Sequence, residues 1–262
     1  MKISLLVALL LLVGPLAKTQ NSGVSESRSK SKVPSITEGK ALLKAMHAAA
    51  SRSHLKEYTF IQETIRFDSA GNALPSTTWY EALRYPNFFR IDVGDPKNGR
   101  GVIYRNDSTY SFREGKLVRA VADPMPFMLL EGGLKYYSLE ELIPKVEKMG
   151  YDLSKVHSED FQGKEMFVLG AEAGDLRSKQ IWIEKERWIP IRRIDPEENG
   201  SILEVVYGGF QRKKGKWVET EVDFFLDGKW LQKEKYSAVN PNPRLKTILF
   251  DPNRFGEWHW KK

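Results

Sequence analysis

The sequence contains no cysteine. That absence excludes a disulfide framework, an acylated lipobox and a thiolate metal site, so any fold must stand on its own core. Histidine is scarce as well. His47, His54, His157 and His259 are scattered, and no two stand at metal-ligand spacing. No serine occupies a Gly-x-Ser-x-Gly elbow. The stretch from Gly209 to Lys216 resembles a phosphate loop but is one residue too long. Trp217 stands where a serine or threonine would bind magnesium, so the segment reads as a basic hairpin turn. The carboxylate pairs Glu140/Glu141 and Glu197/Glu198 are adjacent in sequence and read as solvated surface rather than as two acids facing across a cleft. No catalytic residue, metal ligand or cofactor is assigned on these grounds, and the chain is expected not to be an enzyme.

Long hydrophobic runs are missing too. The one apolar run of note, Ile3 to Val13, is too short for a membrane span; with Lys2 before it and Gly14-Pro15-Leu16-Ala17 after, it has the layout of a secretory signal. Residues 1–17 are therefore expected to be a signal peptide, 18–34 a flexible Ser/Lys-rich tail, and 35–262 a single folded domain. A concentrated basic face is absent despite the net charge of +7. Lys2 leaves with the signal, and the tail from Lys18 to Lys32 carries four bases against Glu26, so about +3 remains on the folded part, with acids and bases interspersed. A nucleic-acid binder would show a basic stripe, and none is read here.

What the sequence has in quantity is alternation. From Val218, the residues Thr220, Val222, Phe224 and Leu226 share one face, while Trp217, Glu219, Glu221, Asp223 and Phe225 share the other. Asp227-Gly228 then reverses the chain into Trp230 to Val239 with the positive φ angles that a tight hairpin needs. The same period recurs in segments near 58–67, 77–83, 88–93, 101–105, 109–113, 117–121, 156–161, 166–169, 179–184, 189–194 and 202–207, separated by turn residues such as Asn106-Asp107, Glu114-Gly115 and Asn199-Gly200. Helical spacing interrupts it twice. Thr37 is expected to cap a helix running to about Ala50, with Leu42, Met46 and Ala49 on one face. After the short apolar turn Phe127-Met-Leu-Leu130, closed by Gly132-Gly133, Ser138 to Glu141 forms a capping box. That box opens a helix which Pro144 should kink or restart.

Four segments in order resemble a known family. Tyr58-Thr-Phe-Ile-Gln-Glu63 is similar to the first strand of the periplasmic lipoprotein carriers (the LolA-like outer-membrane lipoprotein-sorting proteins and their relatives). Leu83-Arg-Tyr-Pro-Asn-Phe-Phe-Arg-Ile91 is similar to their basic-Pro-x-x-Phe-Arg junction, and Pro126-Phe-Met-Leu-Leu130 to the apolar helix at their barrel mouth. Asn240-Pro-Asn-Pro-Arg-Leu245, ending in Phe250-Asp-Pro252, is similar to their closing phrase. Ile181-Trp-Ile-Glu184 with Trp188-Ile-Pro-Ile-Arg192 matches their middle strands. The resemblance spans residues 36 to 252. It departs where the best-known carriers place an arginine directly before the proline, because here that position is Tyr85, with Arg84 one residue earlier. Strand alternation puts the two on opposite faces, and a phenol with one partner costs less to bury than an unpaired guanidinium, so Tyr85 is expected inside.

The fold class expected is mainly β with some α (α+β): a half-open antiparallel barrel of about ten or eleven strands, with helical lid and plug elements over an apolar cavity. Trp79, Tyr85, Phe88, Arg90, Phe127, Met128, Leu130 and Trp182 are the candidate ligand-binding residues of cavity and lid. The resemblance implies a soluble periplasmic protein, not lipid-anchored and monomeric. It would shield the acyl chains of a lipoprotein or other lipid in outer-membrane sorting, with inner- or outer-membrane proteins as partners and no nucleic acid. The alternative on the same fold is an envelope sensor or partner-binding domain.

Overall fold

Alternation becomes paired strand at each segment where the sequence shows it, except that the run from Trp217 to Leu226 breaks after Val218 into two strands. In a computed structural model, which describes residues 36–122, 124–241 and 243–260, the expected signal and tail lie outside the described residues. The described part opens with helix α1 (Gly39–Ser53) and runs through strands β1 (Glu57–Arg66), β2 (Thr77–Arg84), β3 (Phe88–Val93), β4 (Gly101–Arg105), β5 (Ser108–Arg113) and β6 (Lys116–Ala122). Helices α2 (Pro126–Leu130) and α3 (Leu139–Lys148) follow. Strands then return as β7 (Val156–Phe161), β8 (Lys164–Leu169), β9 (Gln180–Glu184), β10 (Ile189–Pro196), β11 (Ile202–Gly208), β12 (Gln211–Lys213), β13 (Lys216–Val218), β14 (Glu221–Leu226) and β15 (Lys229–Asn240).

Thirteen strands form one antiparallel sheet in the order β6-β5-β4-β3-β2-β1-β15-β14-β11-β10-β9-β8-β7, and β12 and β13 form a separate ribbon. The count exceeds the expected ten or eleven because every alternating segment became a strand of its own. The first strand of the chain pairs with the last, β1 with β15, while β6 and β7 each have one neighbour, so the curled sheet stays half-open. The basic segment Gly209 to Lys216 is indeed a hairpin turn, closing at Lys214 and Gly215 with positive φ.

The helices fill one half of the concave face. Leu42, Leu43 and Met46 of α1 and Leu142 and Val146 of α3 are buried against Phe167, Leu169, Ile181 and Ile183 of β8 and β9. Each such side chain taken from water contributes about 1.5–3 kcal/mol. α1 begins at Gly39 with Glu38 at its N-cap and no side-chain cap, rather than at Thr37 as expected. Its first N–H is satisfied by tertiary contact instead, donating to the Leu153 carbonyl at 3.1 Å. A side chain at Gly39 would strike that backbone, its Cβ lying 2.5 Å from the Leu153 oxygen. The Ser138–Glu141 capping box forms with both its hydrogen bonds. α3 continues through Pro144, where a kink or restart was expected; Pro144 and Glu140 are both exposed, so the carbonyl that proline leaves unbonded lies on the solvent side.

The convex face of β2 to β5 is covered by the carboxy-terminal segment. Leu249 and Phe250 pack on Ala82 and Phe88, and Phe255 packs on Ile103 and Phe112.

Candidate functional site

The other half of the concave face is a different environment. On β1, Tyr58, Phe60 and Gln62 point inward, and the register places Phe60 opposite Glu81 of β2 and Gln62 opposite Trp79. Glu81 in turn stands opposite Ile91 of β3, and Leu83 opposite Phe89. Facing them are Glu234 and Tyr236 of β15, Val222 and Phe224 of β14, Val205 and Tyr207 of β11 and Arg193 of β10. Phe127 of α2 and Glu131, the residue after that helix, close the space, and Glu219 enters from the break between β13 and β14. The cavity left is about 70 Å³, room for about two water molecules.

Its wall is aromatic and acidic at once. The Tyr58 and Phe60 rings stack with centroids 5.5 Å apart, and Phe60 meets Tyr236 at 4.4 Å. Glu131 accepts a hydrogen bond from the Tyr85 hydroxyl at 3.2 Å. Glu234 accepts from Tyr236 at 2.7 Å and from the Gln232 amide at 2.6 Å. Glu81, 3 % exposed, has no hydrogen-bond partner among the described residues. Burial pushes all four carboxyls up: Glu219 and Glu234 to about 7, and Glu81 and Glu131 well above the ordinary range. Mutual repulsion adds to this, from Glu234 and Glu219 on Glu81 and from Glu219 on Glu131. Arg193 is the one cation in the wall among the described residues, and its Nε is already paired with Asp195 at 2.5 Å.

A larger cleft of about 410 Å³ lies on the outer side of α2, between that helix, α3 and the β4–β5 turn. Met125, Met128, Leu129, Tyr137 and Met149 give it an apolar floor, with Lys145, Lys148 and Lys179 also in its lining. Phe127 faces the interior and Met128 the cleft, so one short helix separates the two spaces. Gly132, just past that helix, permits the close approach of Tyr85: a Cβ there would lie 2.2 Å from its ring.

The eight candidate residues are divided by this geometry. Trp79 and Phe127 line the interior. Tyr85 packs beside it on Tyr58 and Glu131, and Met128 lines the cleft. Leu130 is buried among the helices. Phe88, Arg90 and Trp182 lie on the opposite face of the sheet, away from the interior. Phe88 packs on Phe250, and its inward neighbour is Phe89. Arg90 is buried in an ion pair with Asp92, 2.8 Å from Nε to Oδ2, and donates to the carbonyls of Leu249 and Phe255. Trp182 lies beneath Arg192 and against Phe161. Arg84 also points outward, to Glu57 and the Leu245 carbonyl, with Tyr85 inside.

Sequence reasoning missed the acids. Glu81 was legible, because Trp79-x-Glu81-x-Leu83 alternates inward. Glu219 was not, because the chain breaks between β13 and β14 and turns it away from the face shared with Glu221. Among the described residues no group of His, Asp and Glu could hold a metal ion, and no helix is long and apolar enough to cross a membrane.

No family model matches this sequence, and no curated protein matches it. Solved structures do match in fold. A domain from Vibrio parahaemolyticus described as an outer membrane lipoprotein-sorting protein superposes with a TM-score of 0.60 at 11% identity, covering 84% of this chain and 100% of its own. A LolA superfamily protein from Nitrosomonas europaea gives 0.55 at 9% identity, over 82% and 98%. A DUF1329 family protein from Desulfovibrio piger gives 0.54 at 13%, over 81% and 95%. The chain therefore has the LolA-like fold.

Proposed function

With the LolA-like fold as premise, we propose that this chain is an exported, soluble, non-enzymatic binding protein of the periplasm, which takes an acyl chain or similar apolar tail into its half-open barrel. The observation that carries this reading is the lid. A five-residue apolar helix sets Phe127 into an interior lined by Phe60, Trp79, Leu83, Phe89 and Ile91, and its outer side borders a cleft of about 410 Å³, within the size range of ligand sites. Phe127 and Met128 of that helix stand between the two spaces, so a shift of α2 would join interior to cleft. On this reading Trp79, Tyr85 and Phe127 contact the tail inside, Met128 contacts it in the cleft, and Leu130 anchors the lid to the helices. Shielding acyl chains during outer-membrane lipoprotein sorting, with membrane-bound donor and acceptor proteins, is the role the fold favours.

Saturable binding of an uncharged hydrophobic reporter dye tests the reading, together with lipid extraction and native mass spectrometry of the purified protein. Binding is expected to weaken strongly in Phe127→Asp, which sets a charge into the entry. A folded protein that binds no dye and carries no lipid would sink it.

A second reading, partner binding, has its own observation. Edge strand β6 has one neighbour, and Leu117 and Val118 on it are 52% and 60% exposed. An edge of this kind can accept a strand from another protein.

A further inference from the structure

An interior built only to hold hydrocarbon would be apolar throughout, and this one is not. Four carboxyls, Glu81, Glu131, Glu219 and Glu234, enter one cavity whose wall holds, among the described residues, a single cation, Arg193, already engaged by Asp195. Three of the four have a local reason to be there or a local way out. Glu131 and Glu234 accept hydrogen bonds from tyrosines, and Glu219 is only half-buried. Glu81 has neither. It sits mid-strand between Trp79 and Leu83, almost wholly buried, lines the cavity and has no hydrogen-bond partner among the described residues. A buried carboxyl without a partner is costly, and leucine would pack at this position without that cost. Phe60 stands directly across the β1–β2 register from it, and Tyr58, Trp79 and Tyr236 complete an aromatic surround that favours a cation over its ring faces.

We propose that the interior is a receptor for the ammonium head of a cationic amphiphile, with Glu81 as the principal counter-ion. The proposal deepens the apolar-tail reading and rests on it. A primary ammonium is about the size of a water molecule and fits the space of about 70 Å³, while the chain behind it runs past Phe127 toward the cleft. The same wall disfavours a carboxylate or phosphate head, because Glu219 and Glu234, raised to about 7, are mostly ionised at pH 7.5. Burial holds a proton on Glu81 in the empty protein; an entering ammonium displaces that proton and ionises the carboxyl. The titratable and charged groups facing the head are Glu81 of β2, Tyr58 of β1, Glu234 and Tyr236 of β15, Tyr207 of β11, Arg193 of β10, with Glu131 and Glu219 from the flanking loops.

The experiment compares three twelve-carbon probes on the full chain by titration calorimetry below their micelle concentrations: dodecylamine, dodecanol and dodecanoate. Dodecylamine is expected to bind at least tenfold more tightly than dodecanol at pH 7.5, and dodecanoate more weakly than either. Dodecylamine affinity should fall as pH drops toward 6, with proton release that shows as a buffer-dependent heat. Glu81→Gln keeps the shape of the side chain and removes the charge; it should lower dodecylamine affinity tenfold or more and leave dodecanol unchanged. Glu219→Gln serves as a second variant and should show a smaller loss with the same selectivity. Equal binding of dodecylamine and dodecanol, or a dodecylamine preference that survives Glu81→Gln, overturns the ammonium proposal and leaves the apolar-tail reading standing. If the folded protein binds none of the three, both fail.

Discussion

The two halves of the concave face use the same backbone for opposite ends. Under α1 and α3 the sheet presents Phe167, Leu169, Ile181 and Ile183, and the helices bury an apolar stripe against them. Under α2 the sheet presents Glu81 and Glu234 among Tyr58, Phe60 and Trp79, and a small space remains unfilled. One half has the density and chemistry of a core; the other spends stability on buried acids and on a gap. Natural sequences break the rules of packing mainly where function requires it, and that contrast supports the interior under α2 as the proposed site.

The largest effect expected is on the packed half. Phe167→Ala removes a fully buried ring between β8 and the helices and should cost about 3–5 kcal/mol in denaturant unfolding. A loss under about 1 kcal/mol would mean that the helices are loosely seated and that the halves do not differ as described.

The acidic half should instead show itself through pH. Glu234 rises from 4.5 unfolded to about 7 folded because of burial, so the folded state binds the extra proton between those values. Stability is then full below about 4.5 and is lost as pH rises through 7. The shift of Glu234 alone corresponds to about 3 kcal/mol as an upper figure, since neighbouring carboxyls share protons. Denaturant midpoints between pH 5 and pH 8 should fall accordingly, and Glu81→Gln should raise stability at pH 8 and flatten the slope. A protein equally stable at both pH values would contradict the burial of these acids.

The packed half was also the more legible of the two. Leu42, Met46 and Ala49 at helical spacing and Ile181/Ile183 at strand spacing announce where they pack, because period alone decides face within one unbroken element. Tyr85 and Arg84 fall on opposite faces for the same reason. Legibility fails at two kinds of place. Where both faces of a strand are covered, as at Phe88-Phe89 and Ile181-Trp182-Ile183, apolarity no longer tells inside from outside; the carboxy-terminal segment and the environment around Phe161 and Trp217 cover the convex side. Where a strand breaks, as at Glu219, alternation stops carrying information. Arg90 faces away from the interior, its guanidinium paired with Asp92 two residues on along the same face, a pairing that alternation alone does not distinguish from a cavity position.

A smaller effect is expected at the boundary between the halves. Phe127 is half-buried and meets Phe89 edge-to-face at 5.4 Å, a contact worth about 0.5–1.5 kcal/mol. Phe127→Ala should lower stability by about that amount while speeding dye uptake and release together in stopped-flow measurements. If exchange is unchanged, α2 is a fixed plug, and the two spaces beside it stay separate.

The smallest effect is expected at Arg84, on the convex side of the acidic half. Its guanidinium is held by Glu57 at 2.8 Å, the Leu245 carbonyl and Thr247, all contacts that tie the carboxy-terminal segment to the barrel rather than to the interior. Its side chain and that of Glu57 are partly exposed, so the ion pair contributes at most about 1 kcal/mol to folding. Arg84→Leu should therefore change ligand affinity by less than about threefold, under 1 kcal/mol. Tyr85→Asp, one residue on, removes the hydroxyl that donates to Glu131 and adds a fifth acid beside the cavity, so binding of an uncharged dye should weaken strongly. Both affinities come from one dye titration. The reverse order, a large loss at Arg84 and a small one at Tyr85, would place the ligand on the convex face and undo the division of the sheet into a packed half and a binding half.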